Sequence, residues 1–284
     1  MSLLNSINTN VGATIALEAL DSTTSQLDAT QKQISTGYRV NDATDDGAAY
    51  AVAQGVRSDV GALTTANQQL GDATGLVSTT LTGLNQVSTT VNAARQVLVT
   101  LADGDTTGSQ RTQYIAQYQS DIANIKSDLQ DGSYNGKTLI GNITGSSGTF
   151  GSVNVVRNEL GATYNIATFS GSALLGSLSF TSTQLGGAAT VAGLISASGT
   201  FINQMNSVNG QLAAYGSAST YITNQVSYNS DKIDSLNTGL GSLVDANLAQ
   251  ESALLQSLQI KQQLGTQALS IADQAPQTLL SLFK

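Results

Sequence analysis

Apolar residues recur along this chain at alternating steps of three and four, and two long stretches sustain the pattern. From Ala53 the steps meet Val56, Val60, Leu63, Leu70, Val77, Leu81, Leu84, Val91 and Leu98, interrupted by Asn67, Thr74, Ser88 and Arg95. From Leu194 they meet Phe201, Met205, Val208, Leu212, Tyr215, Ile222, Val226, Ile233, Leu236, Leu240 and Leu243, interrupted by Ser198, Ser219 and Asn229. A repeat of about 3.5 residues held this long keeps one seam toward a partner helix and predicts left-handed supercoiling. At about 1.5 Å per residue the 53–98 stretch would reach roughly 70 Å, too long for an ordinary globular helix. The expected fold is mainly α, built from long antiparallel coiled-coil helices.

The same stepping places the other elements. A first helix runs from near Asn10 to about Ser35 with its seam at Ala13, Leu17, Leu20, Thr24, Leu27, Gln31 and Ile34, and Gly37 ends it as a left-handed cap. The connector up to Gly47 is rich in turn residues, and Asp45 or Asp46 caps the next helix. A third helix with its seam at Arg111, Ile115, Tyr118, Ile122, Ile125 and Leu129 stops at Asp131-Gly132, an antiparallel neighbour of the second. Only the region from Ile140 to Ala189 reads as sheet, with alternating segments at 152–157, 163–169 and 177–181. This predicts a small β-hairpin region near 150–182. The return helix then begins between Ala189 and Leu194.

Near Leu240 the stepping slips, with Leu236, Leu240 and Val244 four and four apart. Such a stutter unwinds a supercoil locally, and Gly239 and Gly241 favour a joint there. Beyond it, one stripe continues through Leu248, Leu255, Leu258, Gln262, Leu269, Ala272 and Leu279. A second runs through Leu264, Ala268, Ile271, Ala275, Leu279 and Leu282, expected to pack on Leu17, Leu20 and Leu27 and on neighbouring copies. Pro276 is expected to kink the helix. Breaks at matching depth from both ends predict an inner pair of end helices (1–36 and 241–284), a connector (37–47) and an outer bundle (48–240) with its strand-rich tip at about 140–189. The outer core is expected at Val56, Leu63, Leu70, Val77, Leu84, Val91, Leu98, Ile122, Met205, Leu212, Ile222 and Ile233.

Composition narrows the function. Charged residues are 11% of the chain, less than half the usual share of about 25%, and there is no His, Cys or Trp and one Pro. A net charge of −8 argues against nucleic acid, which requires clustered Lys and Arg. No apolar run approaches the roughly 20 residues that span a bilayer, and no secretory signal opens the chain, so composition alone suggests a cytoplasmic protein. Between Glu159 and Asp231 there is no charged residue. A neutral helix surface of that kind suits burial on several sides, as in a lattice, or else a Gly- and Ser-rich solvated face.

Candidate chemistry is sparse. Without His no Ser can be activated in a triad, and no His-Glu-x-x-His metal site exists. Asp42, Asp45, Asp46 and Gly47 miss the calcium-loop spacing, because Thr44 and Ala53 stand where ligands should be. The glycines 145, 148 and 151 lack the strand, helix and Lys of a phosphate loop. No catalytic, metal or cofactor site is expected.

Several segments together resemble bacterial flagellin. They are Ser6–Ala13, Gln33-Ile34-Ser35-Thr36-Gly37-Tyr38-Arg39-Val40-Asn41 followed by Asp45-Asp46-Gly47-Ala48-Ala49, the turn Tyr134-Asn135-Gly136, Val244–Ser252, and the closing run from Gln262 to Phe283. The resemblance implies a self-polymerising filament subunit for swimming motility, of a minimal type without large outer domains, exported without a cleaved signal. It implies a spoke at Gly37, Arg39, Asn41, Asp45 and Asp46, and inner-domain assembly contacts at Leu17, Leu20, Leu27, Ile34, Leu255, Leu258, Leu264, Ile271, Leu279 and Leu282. Partners would be other copies, an export chaperone, the filament cap and hook-junction proteins. Family members that activate Toll-like receptor 5 carry a Gln-Arg pair and a Glu where this chain has Asn92, Ala93 and Gln117, which implies weak recognition. A hook–filament junction protein shares both terminal patterns and is the alternative. A secreted coiled-coil translocator or effector would need an apolar span or basic amphipathic face that the chain lacks.

Overall fold

The computed structural model describes residues 9–281, with side-chain surroundings through residue 274. Leu279, Leu282, Ala275 and the kink expected at Pro276 therefore lie outside what is described, although the last helix is continuous to Ser281. The long elements are α1 (Val11–Thr36), α2 (Gly47–Leu101), α3 (Gly108–Asp131), α7 (Thr200–Val244) and α8 (Leu248–Ser281). Between α3 and α7 come β1 (Lys137–Thr138), β2 (Thr149–Phe150), β3 (Val153–Val156), β4 (Thr163–Ile166) and three short helices, α4 (Gly171–Leu178), α5 (Ser182–Gly186) and α6 (Ala188–Leu194). The chain divides into two compact units, Met1–Ser58 with Ser235–Lys284, and Asp59–Asp234.

Caps explain where the helices begin and end. Asn10 accepts from the Ala13 amide at 3.1 Å to open α1, and Gly37 closes it with φ 74° in the left-handed region. Asp46 accepts from the Ala48 and Ala49 amides, both at 3.0 Å, to open α2. Tertiary contacts take over at the end of α2. There Arg111 donates from Nε to the Leu185 carbonyl at 3.1 Å, from Nη1 to that of Thr106 at 2.7 Å and from Nη2 to that of Leu101. One side chain thus satisfies carbonyls that would otherwise be left open.

In the second unit one core runs from Leu70 to Leu101 of α2, through Tyr118, Ile125 and Leu129 of α3, to Phe201, Val208, Tyr215 and Ile222 of α7. Here α2 buries a second row that the single-seam pattern misses. Ala66, Ala73, Thr80, Val87 and Ala94 are buried, each one residue before a position of the expected seam, and Leu101 continues the row, whereas Arg95 is exposed. The seam reading assumes one partner, but α2 is covered from more than one side. A Cβ at Gly83 would sit 3.2 Å from Ile140 and 3.6 Å from the Asp128 carbonyl, and one at Gly75 would clash with the Tyr134 ring at 2.5 Å.

Sheet is scarcer than expected. Strands β3 and β4 pair antiparallel with Val155 opposite Tyr164, while β1 and β2 form a separate parallel pair. Segment 177–181 is not a strand. It holds the end of α4, whose Leu174 and Leu178 are buried four residues apart, followed by the Thr181–Gln184 capping box of α5. The return helix starts at Thr200, because Ser196 and Gly199 form a turn after α6 in which the Gly199 amide reaches the Ser196 carbonyl at 2.8 Å. The break after α7 also differs. Gly239 and Gly241 are helical, and the chain opens only at 245–247, where the Tyr38–Asp245 bridge forms.

Candidate functional site

In the first unit α1 and α8 run antiparallel. Asn10 Nδ2 donates to the Ala272 carbonyl at 2.8 Å, Leu20 lies against Gly265, and Gln262 Nε2 reaches Thr24 Oγ1 at 3.4 Å. The covered row on α8 is Leu255, Leu258, Gln262, Gly265, Leu269 and Ala272, at steps of three and four, with Leu258 1% exposed. On α1, Leu20, Leu27 and Ile34 are half-buried. These contacts make a narrow seam in which half-buried Leu and Ile alternate with small and polar residues, and Leu258 is the large side chain fully enclosed.

The second α8 stripe does not face α1. Leu264 is 58% and Ile271 71% exposed, Leu17 is exposed, and Ile260 and Ile15, which the stepping did not single out, are exposed too. At 100° per residue, Ile260, Leu264 and Ile271 fall within about 40° of one another, opposite the covered row. Both α8 stripes are apolar at helical spacing, and the spacing alone does not say which one meets α1. The seam instead uses Gly265, the next residue, where the absent side chain lets Leu20 approach.

The connector is pinned from both sides. The Arg39 and Val40 amides donate to the Val244 carbonyl at 2.7 and 3.2 Å, Arg39 Nη2 reaches the Leu243 carbonyl at 2.6 Å, and the Ala246 amide donates to Gly37. Extended connector thereby satisfies the carbonyls at the end of α7. Val40 is buried with Ala49, Ala53 and Val244. On the other side Lys32 Nζ reaches Asp42 Oδ2 at 2.7 Å and Asp45 Oδ1 at 2.8 Å. Asp45 Oδ2 also accepts the Asn41 and Asp42 amides. The Lys32 hydrogen bonds hold both carboxyls below their ordinary range and raise the Lys32 ammonium. Lys32 went unnoticed in the sequence; ten residues of spacing across a cap give no periodic signal. Arg57 stands over the Tyr38 ring, 5.9 Å from its centroid.

In the second unit Leu63, Leu70, Val77, Leu84, Val91, Leu98 and Ile222 are buried, and Ile122, Met205 and Leu212 are half-buried against the same core. Ile233 is half-buried as well, whereas Val56, expected in the outer core, is half-buried in the first unit, which takes in α2 up to Ser58. Asn92 and Ala93 are exposed on α2, and Gln117 on α3 donates to Asp121 at 3.0 Å. Among the described residues no helix is long and apolar enough to cross a membrane.

Comparison with known proteins follows the same layout. Residues 7–144 match the bacterial flagellin N-terminal helical region and residues 195–283 the bacterial flagellin C-terminal helical region. The chain is 33% identical to flagellin FljM of Caulobacter vibrioides over 285 residues, covering 99% of each, and 33% identical to a flagellin of Brucella melitensis over 98% of this chain and 99% of that one. A putative flagellar hook-associated protein from Vibrio parahaemolyticus shares the fold, with a TM-score of 0.55 and 16% identity over 71% of this chain and all of that one.

Proposed function

The chain belongs to the bacterial flagellin family, and from that premise we propose how its copies meet. It is a structural subunit of the flagellar filament that serves motility, and not an enzyme. In our reading α1 and α8 form the inner part (1–36 and 241–284), residues 37–47 are the spoke, and 48–240 are the outer part. The compact units divide deeper in α2 and α7, because the spoke packs with Ala49, Ala53 and Val244. Neighbouring copies cover the face of α8 that α1 leaves open.

One observation carries this reading, namely the exposed row Ile260, Leu264 and Ile271 on the far side of a helix whose other side is already occupied. Burying each side chain would contribute up to about 1.5–3 kcal/mol. The test is a full-length Ile260→Ser, Leu264→Ser, Ile271→Ser variant in seeded polymerisation. It should stay folded and helical by circular dichroism yet fail to extend seeds. Extension at the parent rate would overturn the proposal.

Export to the cell exterior, with a chaperone before assembly and with cap and hook-junction proteins at the filament ends, follows the family's filament role. Near-full-length identity to flagellins supports the filament subunit over the junction protein, since the hook-associated neighbour shares only the fold. Recognition by Toll-like receptor 5 is weak in this reading. Ala93 offers no cation and Gln117 no carboxylate, each lost charge-assisted contact being worth about 1.5–3 kcal/mol.

A further inference from the structure

The pairing of α2 with α7 contains a polar cluster that the filament role leaves unexplained. Asn229 is 0% exposed, between Val226 and Ile233 on the core face of α7. Its Nδ2 donates to Asn67 Oδ1 on α2 at 2.9 Å and to the Arg157 carbonyl at 3.0 Å. Its Oδ1 accepts from Gln225 Nε2 at 2.9 Å. A backbone carbonyl can only accept, so the Arg157 contact fixes which way the Asn229 amide points, and that in turn fixes Asn67.

Buried amides of this kind are a poor way to gain stability. Each must be desolvated, and the hydrogen bonds it makes replace bonds to water. Their effect falls on the alternatives. Asn67 and Asn229 face each other, and equal steps along antiparallel helices from that contact set Leu63 opposite Ile233 and Leu70 opposite Val226. A slide of one heptad sets half-buried Asn67 against Ile222 in one direction and against Leu236 in the other, and the enclosed Asn229 against Val60 or Thr74, so the amide pair is lost either way. Flanking charges, the usual means of fixing register, are missing from α7 before Asp231. The nearby ion pair, Lys232 to Glu159 at 2.6 Å, ties α7 to the turn after β3, with only a weaker longer-range attraction to Asp59 of α2.

We infer that Asn67 and Asn229 form a register lock. They specify which residues of α2 and α7 meet, and they keep that pairing within one chain while copies are crowded together during assembly.

The chain has no Cys, so cysteine pairs can report register in the full-length monomer. Leu63→Cys with Ile233→Cys closes a disulfide in the native register. Leu70→Cys with Ile233→Cys stands a further seven residues, about 10 Å, out of line and closes only after a one-heptad slide. In the parent background only the first pair should close within one chain on mild oxidation. With Asn67→Leu and Asn229→Leu together, the thermal midpoint should be unchanged or higher, the second pair should now also close, and light scattering should detect dimers. Asn229→Leu alone takes a donor from Asn67 Oδ1 and from the Arg157 carbonyl and should lower the midpoint. A double variant that fails to fold, or that stays monomeric with only the native pair closing, would overturn the lock.

Discussion

Arg111 directs its guanidinium at backbone carbonyls rather than at a carboxylate, joining the end of α2, the following turn and the end of α5. Arg111→Ala leaves those acceptors open, and a loss of about 3 kcal/mol in urea unfolding is expected from charged hydrogen bonds of about 1.5–3 kcal/mol each. Lys32 acts on the spoke in a pH-dependent way. Asp42 and Asp45 have folded-state pKa values below 3.8, so the stability they contribute is complete above that value and is lost as pH falls through the lower folded values. Lys32 is raised above 10.5, so its share persists below that value and is lost only at strongly alkaline pH. Protection from hydrogen exchange at residues 38–46, taken relative to the intrinsic rate at each pH, should therefore be high at neutral pH and fall in acid. In Lys32→Met protection should be lower at neutral pH and change less on acidification; an unaltered acid profile would show that Lys32 does not hold the connector.

Helix α8 has two apolar faces, one covered by α1 and one open, and paired substitutions separate them. Leu258 is 1% exposed against α1, so Leu258→Ala should destabilise the monomer by about 2–5 kcal/mol, read as a lower midpoint in thermal melting of its helical signal. Ile271→Ser, on the open face at 71% exposure, should leave that midpoint in place and slow filament elongation. A shifted monomer midpoint for Ile271→Ser would place the residue in the seam after all. Helix α2 is likewise double-faced, and small residues make that possible. Ala66, Ala73 and Ala94 let neighbours close on the second row, while Gly75 takes the Tyr134 ring directly.

For the whole molecule, the termini and the outer bundle should be separable. Deleting residues 264–284 removes Leu264 and Ile271 from the open face and Leu269 and Ala272 from the row facing α1. The core from Leu70 to Ile222 is untouched. The expected product is a soluble helical monomer that neither assembles nor extends seeds, checked by sedimentation and electron microscopy; filaments of normal length would refute it. Assembled filaments should also tolerate moderate NaCl with little change in their dissociation temperature. A return helix free of charge up to Asp231 offers few Coulomb contacts to screen.

The long helices, their order, the start near Asn10, the Gly37 cap and the choice of Asp45 or Asp46 for the next cap were legible in the sequence, because local periodicity and capping act through neighbours a few residues away. Family membership was legible for a related reason, since several of its motifs sit at those caps and turns and the closing one is a continuous run along α8. The hairpin near 153–166 could be read from alternation, but segment 177–181 could not. There the four-residue spacing of Leu174 and Leu178 and a capping box outweigh a short β-like run. Only the tertiary structure decided which apolar stripe is interior. A heptad says that a face is apolar without saying how many partners cover it, so Leu264 and Leu258 look alike in sequence while one is open and the other enclosed. It also decided the break at 245–247 over the glycines at 239 and 241, because the connector's amides meet the last carbonyls of α7 there. Contacts such as Lys32–Asp42, Arg111–Leu185 and Asn67–Asn229 join residues with no periodic relation, and folding alone brings them together.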